Sequence, residues 1–176
     1  MTVSAACSRK KDISIVSSEK IIKEIKYELS EIENLLDLYK KELFELKGQP
    51  NLVELTALAS VFHSFYTGAE KIFICIAKIV DKNIPHDINW HKTLLFQMTR
   101  ENEYRKAILS DTTTDELLGY LSFRHFYRHS YSFRLKWSEM EHLVVSIQQT
   151  WEKFKSEILS FVKTLEDNSL LSNGFE

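Results

Sequence analysis

Between Phe123 and Trp137 the chain reads FRHFYRHSYSFRLKW, with three arginines, two histidines and two tyrosines in fifteen residues. Side chains of these types bind phosphate and move protons. A guanidinium donates two parallel N–H bonds to an oxyanion, and an imidazole titrates near neutral pH. On an ideal helix, at about 100° per residue, Phe123, Phe126, Ser130, Phe133 and Trp137 share one side, while Arg124, Arg128 and Tyr131 line up on another. The aromatic side is expected to anchor the segment in the core and to leave the Arg/Tyr stripe free to face something else. His125 and His129 stand four apart and could supply two metal ligands. No HExxH and no nearby carboxylate or cysteine at ligand spacing accompanies them, so no metal site is expected. His63, His86, His91 and His142 stand singly and read as core or surface residues. Arg124 and His129 would lie roughly 140° apart on a straight helix, so a regular segment cannot aim both at one phosphate. Either the helix is distorted there or two chains complete the site.

The elements that must position these residues read as helices throughout. Ile21, Ile22, Ile25, Leu29, Ile32, Leu35, Leu36, Tyr39, Leu43 and Leu46 recur at three- and four-residue steps, which marks one long amphipathic helix stopped by Gly48 and Pro50. Asn51 with Glu54 spells an N-terminal cap for a second helix through Val80, the richest in apolar residues and the one expected to lie deepest. Residues 81–89 with Pro85 read as a connection. Trp90, Leu94, Leu95 and Met98 define a third, shorter helix, with its continuation through Tyr104 to Leu109 left open. Thr113 with Glu116 and Ser138 with Glu141 repeat the capping signal ahead of a fourth and a fifth helix. Leu29, Phe62, Phe65, Phe73, Ile76, Phe126, Ile147 and Phe154 are expected in the core. Residues 1–17 read as a flexible arm, 18–167 as one helical domain and 168–176 as a frayed tail.

Composition agrees with an all-α chain of one domain. Four glycines and two prolines in 176 residues leave little material for the turns of a sheet protein. The formal charge of -2 gives no global basic footprint, so any grip on nucleic acid must come from a local patch. Cys7 and Cys75 match neither a disulfide framework nor a zinc site, and no stretch approaches a membrane span. A cytoplasmic, membrane-free protein is the expectation.

Arg124, four residues, His129, one residue and Tyr131 reproduce the R-x4-H-x-Y signature, and here the chain resembles the HEPN domains, in particular the HepT-like ribonuclease toxins. His125 supplies the polar residue that follows the arginine in that family. FYTGAEKIF at 65–73 and WHKTLLFQM at 90–98 resemble HepT-like segments in the same order, so the likeness spans roughly Ser18 to Leu165. The resemblance implies a five-helix HEPN-type bundle built on a four-helix core, working as a homodimer whose motif residues line one cleft. It implies a metal-independent endoribonuclease toxin with Arg124 and His129 catalytic, no cofactor, and RNA as substrate. Its partner would be a minimal nucleotidyltransferase antitoxin that adenylylates Tyr131, with His125 and Arg128 beside Tyr131 in the cleft. Two alternatives stand next to this reading. One is a catalytically idle HEPN module that binds a nucleotide or serves as substrate-binding subunit of a nucleotidyltransferase. The other is a plain helical interaction protein in which the motif is accidental.

Overall fold

The computed structural model describes residues 15–45 and 48–173. In chain order these form α1 (Ile15–Leu38), α2 (Lys40–Phe44), α3 (Leu52–Ile79), α4 (Trp90–Gln97), α5 (Asp111–His129), a 3-10 turn (Ser132–Arg134) and α6 (Trp137–Asn173). No strand occurs among the described residues, as an all-α chain requires. Six helices replace the expected five because the first one breaks at Tyr39, whose backbone (φ -101, ψ 18) leaves the helical basin before α2 resumes. Neither Gly nor Pro marks that break, so the apolar period runs straight through it. Residues 1–14, with Cys7 and most of the proposed arm, and Leu46 lie outside the described residues. At the other end α6 continues to Asn173, into the stretch read as a tail.

Four long helices, α1, α3, α5 and α6, enclose the core, and α4 packs on α3 and α5. The start of α3 follows from its cap: the Asn51 side chain accepts from the Val53 and Glu54 amides, and Glu54 accepts from the Asn51 amide at 2.7 Å. Along α3, Phe62, Phe65, Tyr66, Phe73 and Ile76 are fully buried. Their rings meet those of α5 and α6 edge-on, Phe65 with Tyr120 at 5.0 Å and Phe73 with Phe154 at 5.8 Å. Leu29, Ile147 and the other expected core residues are buried with them, except Phe126.

Helices α1 and α3 approach closely at Gly68. A Cβ there would sit 2.7 Å from Ile32 Cγ1 and 2.9 Å from its Cδ1. Gly68→Ala is therefore expected to destabilise by about 1–3 kcal/mol, because overpacking forces Ile32 off its rotamer or the helices apart. A thermal melt lowered by about 2–4 °C per kcal/mol would register it.

A second polar cluster is structural. Arg105 donates through Nε and Nη2 to both oxygens of buried Asp81 at 2.7 Å, and Gln97 and Asn102 donate to the same carboxylate. With the Arg105 Nη1 donors on the Arg100 and Lys106 carbonyls, the loop between α4 and α5 is pinned to Asp81, just beyond α3. Among the described residues no helix is long and apolar enough to cross a membrane.

Candidate functional site

Helix α5 starts one turn earlier than the Thr113/Glu116 pattern suggested. Ser110 is its cap, accepting from the Thr113 amide, while Glu116 pairs with Lys153 of α6 at 2.6 Å. The helix ends at His129, where Ser130 turns extended (φ -111, ψ 148), with Arg128 in the last turn where the helix dipole favours a cation. Tyr131 thus stands beyond the helix, at the entrance to the 3-10 turn, and the Arg124/Arg128/Tyr131 stripe of an unbroken helix does not exist. The aromatic face holds only in part: Phe123 is buried as expected, and Trp137 packs on the core. Leu135 dives into the core, whereas Phe126 and Phe133 are 37% and 68% exposed and Trp137 is half-buried.

Arg124 faces inward. It is only 7% exposed, and Nη2 donates to Oε2 of buried Glu70 at 2.9 Å. Nε reaches the Thr67 hydroxyl at 3.4 Å, and that hydroxyl donates to the His63 carbonyl. His91 completes the group: its Nδ1 donates to Glu70 Oε1 in a very short contact. Nη1 of Arg124 lies 3.5 Å from that same Nδ1, which cannot accept while it donates to Glu70. Nη1 is therefore left without an acceptor among the described residues. The His91 ring stacks on Trp90 at 3.6 Å and meets the His125 ring edge-on at 5.1 Å.

Burial, then the neighbouring His91 and Arg124, lowers the pKa of His125 below that of a free imidazole. Burial, then the positive charges of Arg124 and Arg128, does the same to His63. For Tyr66, burial and then the Glu70 carboxylate push the phenol upward. The site is thus a buried ion pair with imidazoles packed around it and the exposed Arg128 nearby.

The site residues singled out in the sequence separate into two groups. Arg124 and His125 meet at the Glu70/His91 cluster. Arg128, His129 and Tyr131, exposed as His125 also is, lie at the end of α5 and just after it. The α5 backbone is helical through His129, so no distortion brings His129 round to the Arg124 side. Glu70, Thr67 and His91 are the residues that motif spacing missed, His91 having been read as an isolated histidine. Glu70 carried a signal: it falls among fully buried Tyr66, Ala69, Ile72 and Phe73, where a carboxylate has to be paired.

The three stretches that resemble the HepT-like toxins are the ones that converge here. Thr67 and Glu70 come from the first, His91 from the second and Arg124 from the signature itself. The family described as HepT-like protein matches residues 57–165. No curated protein and no solved structure matches the chain.

Proposed function

Since the chain belongs to the HepT-like family, we propose that it is a metal-independent endoribonuclease toxin, acting as a homodimer and silenced by a minimal nucleotidyltransferase antitoxin. The convergence of all three family-like stretches on Arg124 carries this reading. RNA brings its own nucleophile in the ribose 2'-OH, so the protein has to move protons and stabilise charge on phosphate. His129, exposed at the end of α5, takes the proton-carrier role. Arg124, with Nη1 unengaged by protein acceptors, stabilises the charge on the phosphate oxygens. His125 and Arg128 line the same cleft. Tyr131 presents its hydroxyl at the rim, where adenylylation by the partner would introduce a bulky negative group opposed to the phosphates of RNA.

Incubation with a single-stranded RNA should yield fragments ending in a 2',3'-cyclic phosphate, at a rate unchanged by EDTA. Loss of activity in EDTA with recovery on adding a divalent metal would refute the mechanism. A second reading, the catalytically idle module attached to a nucleotidyltransferase, draws support from the depth at which Glu70 holds Arg124. It expects no cleavage by the isolated protein in the same assay.

A further inference from the structure

Tyr131 and Phe133 project from the 3-10 turn after α5, 69% and 68% exposed, with their rings parallel to within 8° and 5.4 Å apart. Two large rings left in water side by side forgo the burial that most aromatics achieve, and such a patch marks a binding surface. The turn itself is anchored. Leu135 is buried at its far end, and the Arg134 and Leu135 amides donate to the Tyr131 and Ser132 carbonyls.

What surrounds the pair selects its occupant. Residues 117–138 contain no Asp or Glu but carry Arg124, Arg128, Arg134 and Lys136, in a chain whose formal charge is -2. Glu70 neutralises Arg124, and Lys136 lies 3.5 Å from Glu139 in an exposed pair that solvent screens. Arg128 and Arg134 are exposed and flank the two rings in the sequence. An uncharged apolar partner would not call for this cationic frame, and a second copy of the same patch would repel it. A single-stranded polyanion with flat bases satisfies both features.

We infer that Tyr131 and Phe133 form a stacking platform for an unpaired base of a single-stranded RNA, with Arg128 and Arg134 holding the flanking phosphates. The inference rests on the RNA reading above and names the subsite that would receive the strand beside His129. It also gives the ring of Tyr131 a task separate from that of its hydroxyl.

The test uses fluorescein-labelled 2'-O-methyl decauridylate, which has no free 2'-OH and so cannot be cleaved through it, and its duplex with decaadenylate, whose bases are paired. The full chain should bind the single strand more tightly than the duplex. Phe133→Ala should weaken single-strand binding by about 5- to 150-fold, the loss of one base stack. Phe133→Trp and Tyr131→Phe, which keep the rings, should bind like the parent, and sedimentation of all variants should be unchanged. Equal affinity of the parent and Phe133→Ala overturns the platform. So does a shift of Phe133→Ala to a smaller species, which would make the patch a contact between copies. A parent protein that binds no RNA overturns both the platform and the ribonuclease reading. One that cleaves RNA while Phe133→Ala binds it equally well overturns the platform alone.

Discussion

Arg124→Ala is expected to lower the stability of the fold by about 3–5 kcal/mol, the usual cost of removing one partner of a buried ion pair. On sequence grounds Arg124 belongs to a stripe that points away from the core and is free to face something else. Its burial and its bond to Glu70 reverse that expectation. With the guanidinium gone, the Glu70 carboxylate would stay among fully buried aromatic and aliphatic groups with only His91 Nδ1 to donate to it. Glu70→Gln with Arg124→Met should lose less than the two single substitutions added together, because neither half of the pair is then left charged and alone. Urea unfolding of the four proteins measures this. If each single substitution cost under about 1 kcal/mol, as for an exposed pair, the buried-pair account would be wrong. Activity assays at this position consequently need Arg124→Lys, which keeps a cation opposite Glu70 while losing the forked donor geometry.

What could be read from the sequence follows the range of the signals. The α3 start was legible because Asn51 and Glu54 interact over three residues. Most of the core was legible because a buried helix face repeats every three or four residues, as from Leu55 to Ile76. The break at Tyr39 and the end of α5 at His129 were not, since neither carries Gly or Pro and the apolar rhythm continues past both. Reading through His129 placed Phe126 and Phe133 on a core face and Tyr131 on a stripe. In the fold Leu135 takes the buried place and the rings stay outside. The partners of Arg124 were beyond any local pattern: Glu70 and His91 lie 54 and 33 residues earlier in the chain. The carboxylate on the apolar face of α3 marked Glu70 as a residue in need of a partner, and the family-like stretches 65–73 and 90–98 contain Glu70 and His91 without assigning either a role.

The separation of Arg124 from His129 leads to the other large effect. Five residues apart on a helix that stays regular to its end, the two point roughly 140° apart, so one α5 does not aim both at the same phosphate. Arg124 is fixed inward by Glu70, while His129 is exposed at the end of α5. His129→Ala should therefore leave the unfolding midpoint unchanged and reduce RNA cleavage by about 10²- to 10⁴-fold, the usual contribution of a positioned proton carrier. Arg124→Lys should be similarly impaired. If each cleavage site pairs Arg124 of one protomer with the histidine of its mate, mixing these two inactive proteins creates a heterodimer with one intact site. With free exchange of subunits, half the dimers are mixed and each has one of two sites, so about a quarter of the parent activity should return. A site contained in one chain would give no recovery, because every protomer in the mixture lacks one of the two residues. Absence of recovery after verified subunit exchange, shown by mixed dimers carrying two different labels, would rule out the shared cleft.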